Sequence, residues 1–436
     1  MEWYFALALM LGAVCLLMAI GLPVAFSFIV SNIVGAWIFM GGEAGVTAVM
    51  RSMLSGIANF GLAPIPLFIF MGEILFQTGV AFTAVNAIDR LIARIPGRLS
   101  LVSIVGGTIF ATLSGSTIAN TAMLGSVLLP EMKARGYHSS MSMGPIMAVG
   151  GIAMLIPPSA LAVLLASLAH IPVAELLVGG VVPGIVMSAL FIGYVVVRCL
   201  INPALAPSYD MERLPFVERL KPFIVYVLPL SLIFVAVLGS IFAGIASPTD
   251  SAALGALMSA LIAACYRRLS WAALKRSLLE TGKISVMILF IVAASTSFSQ
   301  ILAFSGATDG ALSSLLELEL TPLTAVLMML ALLIVLGCFI DQVSMMLVTL
   351  PFYMPLAAAL QIDVVWLGIL MLIAIELGLL TPPFGLLLFV MKGVVTAGDS
   401  LGSIYRAALP FVGLELVGLG LFVAFPVLVL WLPGLL

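Results

Sequence analysis

Charged residues are scarce in this chain. They make up 8% of its 436 residues, and the formal net charge is −2, whereas about 25% of the residues in a soluble domain are charged. Such scarcity excludes an ordinary soluble domain. The near-neutral balance argues against a basic surface for nucleic acid or for anionic lipid headgroups.

Cysteine and histidine are also rare. The four cysteines lie within apolar segments, and their spacing fits neither a disulfide framework nor a metal site. Both histidines fall outside the predicted apolar core, and no second aspartate accompanies Asp341 in its motif. The sequence therefore lacks the Ser–His, paired-Asp or His–Glu arrangement of an intramembrane hydrolase. We expect a protein that is not an enzyme and that needs no cofactor.

Long hydrophobic segments dominate the chain instead. Hydrophobic residues account for 63% of it, against about 45–50% in soluble domains, and stretches of about 20 apolar residues, enough to span a bilayer, recur from end to end. These features predict an all-α polytopic membrane protein. The predicted spans are residues 4–20, 24–40, 63–80, 139–169, 176–199, 223–243, 249–266, 284–304, 364–391 and 408–432.

Two further apolar segments, 99–132 and 322–358, are interrupted at their centres by polar or turn-forming residues. Each is long enough to enter the membrane and return, so we predict two re-entrant hairpins. Irregular backbone at membrane depth is tolerated only where protein or water covers it. Each hairpin tip should therefore line a cavity.

The hairpins belong to a pattern that occurs twice in the chain, at a constant sequence offset. The run Leu113–Thr117 (LSGST) precedes Pro157–Pro158, and the run Cys338–Gln342 (CFIDQ) precedes Pro382–Pro383 at the same spacing. A duplicated set of broken apolar segments is how many secondary transporters build a binding site at the bilayer midplane. The predicted organisation is a first repeat at 1–200 with hairpin 99–132, a linker at 201–221, and a second repeat at 222–436 with hairpin 322–358.

The charges beside the two hairpins orient them in opposite directions. The first is flanked by basic residues, namely Arg90, Arg94, Arg98, Lys133 and Arg135. The second is flanked by acidic ones, namely Glu317, Glu319 and Asp363. By the positive-inside rule, the base of the first hairpin lies in the cytoplasm and that of the second outside. We therefore predict inverted-topology repeats.

The interrupted segments carry the oxygen atoms that a sodium ion needs, since hard cations prefer oxygen ligands. Hydroxyls stand at the first tip and a carboxylate, Asp341, at the second. The Pro–Pro pairs free carbonyls that would otherwise close helical hydrogen bonds, and Ser159 and Thr381 add hydroxyls there. Helix N-termini at the tips present N–H groups to a substrate carboxylate.

Plainer interpretations remain open for these residues. Serine and glycine in membrane helices often serve close packing, and a Pro–Pro pair can be a simple kink. Asp341 is harder to explain in that way, because a charged side chain at mid-membrane costs at least about 2.5–3.5 kcal/mol. Glu376, which precedes Pro382 in the same segment, fits equally well as a flank of the site or as a brace for it.

Several motifs resemble the large membrane (M) subunit of tripartite ATP-independent periplasmic (TRAP) transporters. They are Ser114–Ser116 (SGS), Gly125–Tyr137 (GSVLLPEMKARGY), Ile156–Ser159 (IPPS), Gly244–Asp250 (GIASPTD), Phe339–Asp341 (FID) and Leu380–Leu386 (LTPPFGL). The resemblance covers essentially the whole chain. Asp250 stands where the family is expected to carry glutamate, and Asn120 where it tends to carry a small residue, which bears on the substrate.

The resemblance implies sodium-driven uptake of an organic acid across the bacterial inner membrane. It also implies two protein partners, a soluble periplasmic substrate-binding (P) protein and a small membrane (Q) subunit, and an elevator-like motion of the part that carries both hairpins. A single-component sodium/carboxylate symporter of related fold is the alternative, and it would need no partner. The Gly125–Tyr137 run favours the tripartite class.

Two sets of contacts are predicted from these arguments together. The predicted sodium contacts are Ser114, Ser116, Thr117, Pro157, Asp341, Thr381 and Pro382. The predicted substrate contacts are Ser116, Asn120, Pro158, Ser159 and Pro383. The sequence leaves open whether the substrate is a dicarboxylate, a sugar acid, a keto acid or an ectoine-like zwitterion.

Overall fold

A computed structural model describes residues 2–92, 97–207, 215–395 and 399–436, without the side chains of residues 112–114, 216 and 217. All regular elements in this part of the chain are helices, which confirms the all-α class. The helices up to the linker are α1 (Trp3–Ala19), α2 (Val24–Phe39), α3 (Glu43–Ile57), α4 (Pro64–Gln77), α5 (Val80–Leu91), α6 (Arg98–Ser114), α7 (Thr117–Ala134), α8 (Ser139–Leu155), α9 (Ala160–Ala169), α10 (Val173–Gly179) and α11 (Val181–Ile201).

The helices after the linker include a second hairpin followed by a second broken helix. They are α12 (Phe216–Pro222), α13 (Leu228–Phe242), α14 (Pro248–Cys265), α15 (Trp271–Phe304), α16 (Ala307–Leu316), α17 (Pro322–Gly337), α18 (Gln342–Ala359), α19 (Val364–Leu380), α20 (Leu386–Val394), α21 (Leu401–Ala424) and α22 (Val427–Leu430). A π-helical turn, Phe223–Val227, leads into α13. The starts of α7 and α18 are separated by the same number of positions as those of α8 and α19.

Both hairpins form as helix–turn–helix units. Hairpin 99–132 consists of α6 and α7, and hairpin 322–358 consists of α17 and α18. Helix α6 ends at Gly115, whose φ of 58° is left-handed, a conformation that glycine adopts without steric cost. A polar residue, Ser116 or Asp341, then caps the returning helix in each hairpin. These residues therefore explain why the chain turns at each tip.

The structure corrects several predicted boundaries. The span predicted at 284–304 begins earlier, at Trp271, because the Ser270 hydroxyl accepts a hydrogen bond from the Ala273 N–H (3.1 Å) and starts the helix there. The spans predicted at 139–169 and 364–391 are each broken: α8 and α9 meet at a 45° bend, and α19 ends before Pro382. Prolines lack the N–H that would continue the helix.

Four helices of the described chain lie outside the predicted spans and hairpins, namely α3, α5, α12 and α16. Helices α5 and α16 follow Gly79 and Gly306, which have left-handed φ angles of 68° and 72°. These helices are short, so hydropathy over a membrane-length window does not detect them.

Seven helical segments of the described chain are long and apolar enough to cross a membrane, or eight if the bent α8–α9 pair counts as one span. Several other predicted spans are helices of 16 or 17 residues, including α1, α2 and α19. Many large apolar side chains on α2, α13 and α14 are exposed, as expected for helices in contact with lipid. The chain is a multi-pass membrane protein.

The helices form two packed groups. In one, α8 packs against α6, α7, α19 and α21, and α17 packs against α19; we call this the hairpin group. In the other, α4 packs against α14 and α15, and α15 also packs against α2 and α3; we call this the scaffold group. Helices α8 and α19 are apolar on all sides and almost wholly buried, which places them at the centre of the hairpin group.

Candidate transport site between the hairpin tips

The first hairpin tip lies against the break between α8 and α9. A Cβ placed on Gly115 would lie 3.5 Å from both the Pro158 carbonyl oxygen and the Ala160 nitrogen. The Ser116 hydroxyl accepts a hydrogen bond from the Ala119 N–H (3.3 Å) and so caps α7. The Ser159 hydroxyl caps α9 in the same way, through the Ala162 N–H (3.2 Å). Two helix N-termini thus meet beside the first tip.

The second tip has the same relation to the break between α19 and α20. The Phe339 and Phe384 rings lie 5.8 Å apart, one on the tip and one just after Pro383. Below the tip the backbones of α17 and α19 touch, because a Cβ on Gly337 would lie 2.6 Å from the Cα of Gly378. Each tip is therefore seated on the Pro–Pro break of its own half. Both Pro–Pro peptide bonds are cis.

Asp341 caps α18 with its carboxylate. Its Oδ2 accepts hydrogen bonds from the backbone N–H groups of Val343 (3.0 Å) and Ser344 (3.2 Å), and its Oδ1 accepts one from the Ser344 hydroxyl. The side chain is half-buried. A carboxylate at a helix N-terminus is stabilised by the helix dipole, so Asp341 has a structural role here whether or not it also binds an ion.

Glu376 of α19 connects the two hairpins. Its Oε2 accepts a hydrogen bond from the Thr117 hydroxyl (3.3 Å) at the start of α7 and another from the Gln342 amide (3.4 Å) at the start of α18. The side chain is 3% exposed. Of the two roles left open by the sequence, the structure places Glu376 behind the tips as a brace.

A cavity of about 810 Å³ separates the two tips from the scaffold group. Residues of both tips and of α2, α4, α9, α15 and α20 line it. Most of this lining is apolar. The polar side chains that line it are Glu73, Ser116, Asp341 and Gln342. This is the cavity that the interrupted hairpins predicted.

The charge in this cavity has one sign. Glu73 of α4 approaches from the scaffold side, with its Oε2 accepting a hydrogen bond from the Gln77 amide (3.1 Å), and Asp341 approaches from the second tip. No lysine or arginine is present among the described residues of the lining. An anion that enters meets only like charge among these side chains, and like charges in a low-dielectric cavity repel strongly.

The predicted site residues divide into four sets. Ser116 and Asp341 line the cavity. Thr117 and Ser159 are buried within the hairpin group, and so are Pro157 and Pro158. The backbone carbonyl of Pro383 accepts a hydrogen bond from the Tyr405 hydroxyl (2.6 Å), and the Thr381 hydroxyl donates to the Leu377 carbonyl (2.6 Å). The remaining predicted residues are Asn120, Pro382 and Ser114.

Asn120 faces the protein rather than the cavity. Its amide nitrogen donates to the carbonyls of Gly107 and Val149, at 3.3 Å each, and ties α7 to α6 and α8. Pro382 follows Thr381, the C-cap residue of α19, and is half-buried. The side chain of Ser114 lies outside the described residues. The ligand roles of all these residues stay predictions.

Two polar side chains of the cavity lining were not among the predicted contacts, those of Glu73 and Gln342. Glu73 accepts a hydrogen bond from the Gln77 side-chain amide, and its place in the lining adds a carboxyl group to the site. The cost of a carboxylate inside an apolar span is the signal that could have marked it. Gln342 could have been found as the counterpart of Thr117 in the second repeat.

Ion pairs fix the base of the first hairpin. Arg98, at the start of α6, pairs with Asp89 of α5 (2.9 Å), and Lys133, near the end of α7, pairs with Asp399. Lys392 donates to the Asp399 carbonyl oxygen (2.8 Å). Basic residues from two hairpin-group segments thus gather at one end of the molecule, where the charge pattern predicted the cytoplasmic face.

Residues 11–428 match the family described as "Tripartite ATP-independent periplasmic transporter, DctM component". The chain is 32% identical over 379 residues to the C4-dicarboxylate TRAP transporter large permease protein DctM of Pseudomonas aeruginosa, covering 86% of this chain and 87% of the relative. It is 27% identical to the ectoine/5-hydroxyectoine TRAP transporter large permease protein UehC of Ruegeria pomeroyi, covering 96% of each.

A solved structure shares the fold. The YdaH transporter of Alcanivorax borkumensis superposes with a TM-score of 0.64, over 89% of this chain and 91% of that one, at 14% sequence identity. At this identity the likeness concerns the fold alone. It confirms that the helix arrangement is that of a membrane transporter.

Proposed function

Because the chain belongs to the DctM family, the large permease components of TRAP transporters, we propose that it uses a sodium gradient to import an organic acid. A periplasmic substrate-binding protein would deliver the acid, and a small membrane subunit would complete the complex in the bacterial inner membrane. Family membership also makes this chain a transporter subunit and not an enzyme.

The charge of the cavity lining is the observation that supports sodium coupling. Glu73 and Asp341 bring two carboxyl groups to the cavity, and its described lining has no basic side chain. Accompanying cations would offset the repulsion between these carboxyl groups and an organic anion that binds here. Sodium suits this role because the tips and the Pro–Pro breaks offer hydroxyl, carboxylate and carbonyl oxygens.

The two tips differ in charge, and this difference suggests which ligand binds near each of them. The first tip carries the neutral cap Ser116, so the positive end of the α7 dipole can attract a substrate carboxylate. The second tip carries the charged cap Asp341, which repels a carboxylate and attracts a cation. We place the substrate carboxylate nearer the first tip and at least one sodium ion at the second.

The two packed groups suggest the motion. Both tips and both breaks belong to the hairpin group, whereas Glu73 and the α15 lining belong to the scaffold group. A rigid displacement of the hairpin group along the scaffold would carry the bound ligands across the membrane, as in an elevator.

Reconstitution tests this function. The chain and its small subunit are placed in liposomes, with the binding protein outside and loaded with labelled substrate. We expect uptake when an inward sodium gradient is imposed, and loss of uptake when choline replaces sodium or when the binding protein is omitted. Uptake at the full rate on a proton gradient without sodium would refute sodium coupling. Full uptake of free substrate without the binding protein would favour a single-component symporter.

A further inference from the structure

A second acidic residue lies behind the hairpin tips. Glu415 of α21 is 3% exposed, as Glu376 is, and α21 packs against α19. Both side chains line one internal cavity of about 10 Å³, whose other walls are glycine and apolar residues of α8, α11 and α19. This cavity is separate in its lining from the large one between the tips.

Each glutamate has an oxygen without a partner. Glu376 Oε1 and Glu415 Oε2 are buried, and neither has a hydrogen-bond partner among the described residues. Buried polar atoms are almost always hydrogen-bonded, so two free oxygens on one cavity indicate a missing bridging group. A cavity of about 10 Å³ is close to the smallest that can hold one water molecule.

No positively charged side chain of the described chain lines this small cavity. Titratable and charged side chains on the helices that pack around α19 and α21, and on α21 itself, are Glu175, Tyr194, Arg198, Cys199, Tyr353, Lys392, Tyr405 and Arg406. None of them lines the cavity. Two adjacent carboxylates cannot both stay ionised in a buried apolar site, so such a pair retains a proton.

We propose that Glu376 and Glu415 form a proton-binding site, in which one proton resides on Glu415 and a single water joins it to Glu376. The proton belongs to Glu415 because Glu376 Oε2 already accepts hydrogen bonds from Thr117 and Gln342, which favour a carboxylate. The proton on Glu415 leaves the pair with one negative charge, held directly behind both hairpin tips. Loss of that proton to solvent doubles this charge.

Infrared spectroscopy of the purified permease in lipid nanodiscs tests the proposal without any transport measurement. We expect the carbonyl stretch of a buried protonated carboxyl at neutral pH, where exposed carboxyls are ionised, and loss of this band as the pH is raised. Glu415→Gln should remove the band, and Glu376→Gln should keep it. Glu175→Gln, which changes a partly exposed glutamate outside the cavity, is the matched control and should leave the band unchanged.

Thermal unfolding of the wild-type protein gives a second measurement that needs no variant. In the unfolded chain Glu415 loses its proton at the ordinary pH of an exposed glutamate, whereas the folded protein keeps it. The melting temperature should therefore fall as the pH rises above that ordinary range, and it should stop falling once the band has disappeared. Glu415→Gln should abolish that fall. A wild-type protein without the band, in sodium as in choline buffer, or a band that survives in Glu415→Gln, would overturn the proposal. Neither result would bear on sodium-driven uptake.

Discussion

Thr117 and Gln342, which occupy equivalent positions in the two repeats, donate hydrogen bonds to the same atom, Glu376 Oε2, at 3.3 and 3.4 Å. Each is the first residue of the helix that returns from a hairpin tip. Matching positions of the two halves thus converge on one carboxylate oxygen. Because the two tips share this acceptor, a shift of one tip that moves Glu376 also changes the hydrogen bond of the other tip. The two tips are therefore physically connected through Glu376.

Gly151 provides the space for this connection. It is the counterpart of Glu376 in the first half, and a Cβ at Gly151 would lie 2.5 Å from Glu376 Cγ and 3.2 Å from Oε1. Gly151→Ala should therefore displace the carboxylate from Thr117 and Gln342. We expect a loss of about 1–3 kcal/mol in unfolding free energy and a larger loss of sodium-driven uptake, measured by chemical denaturation and by liposome transport.

Gly193→Ala in α11 is the matched control for Gly151→Ala. No atom lies within 4 Å of a Cβ placed there, so alanine should raise stability by about 0.4–1 kcal/mol and leave uptake unchanged. If Gly151→Ala left stability and uptake as unaffected as Gly193→Ala does, the hydrogen bonds between Glu376 and the two tips would not be needed for transport.

Asp341→Asn separates a capping role from an ion-binding role. Asparagine caps helices about as well as aspartate, so α18 should stay intact and the melting temperature without sodium should change little. If Asp341 also binds sodium, loss of the charge should weaken the sodium-dependent rise in melting temperature and shift uptake to higher sodium concentrations. A thermal-shift titration with sodium, run beside uptake, measures both effects.

Asp363→Asn is the control for Asp341→Asn, because Asp363 caps α19 through the Trp366 N–H (2.8 Å) at an exposed position away from the cavity. Its sodium response should equal that of the wild type. Ser116→Ala, at the matching position of the first tip, should give a milder sodium defect because it removes one neutral oxygen. Unchanged sodium affinity in Asp341→Asn would reject the ligand role.

Glu73→Gln should weaken the attraction of the cavity for sodium. The amide keeps the contact with Gln77 but removes one negative charge from the scaffold side of the lining. We expect uptake to need a higher sodium concentration for half-saturation, since less charge is left to attract the ion. Glu280→Gln on the neighbouring α15 is exposed and serves as the control. Equal sodium curves for both variants would leave Glu73 a merely structural partner of Gln77.

Single cysteines should reveal the orientation of the hairpins. In a background without the four native cysteines, Ala134→Cys reports the base of the first hairpin and Asp363→Cys that of the second; both positions are exposed. Inverted repeats require that an impermeant thiol reagent labels Asp363→Cys from the periplasm and Ala134→Cys only after the membrane is opened. Labelling of both from one face would exclude the inverted arrangement.

The sequence predicted the parts of the fold that single residues control. Ser116 and Asp341 interrupt apolar segments with side chains that cap helices, and Pro157 and Pro382 remove backbone donors, so both tips and both breaks were predictable. The constant sequence offset then showed which tip and which break of the first repeat correspond to those of the second. Helix caps and helix breaks depend on one or a few neighbouring residues, so they can be predicted from the sequence alone.

The remainder of the site depends on packing between distant segments. That Glu376 accepts hydrogen bonds from both hairpins, and that Asn120 donates to Gly107 and Val149 instead of facing the cavity, follows from how α7, α8 and α19 meet. Apolar helices of similar composition can meet in many ways. The long helix α15 was missed in part because its start, at 271–283, is polar enough to resemble a loop.

The glycine contact between α17 and α19 restricts how the site can open. Gly337 and Gly378 meet backbone to backbone, so α17 and α19 are in close contact at that point with no side chain between them. Lifting the second hairpin like a flap would leave a gap along two apolar helices, at a cost in lost van der Waals contact. We therefore expect the second hairpin to stay seated on α19 and to move with it as one body when the hairpin group is displaced along the scaffold.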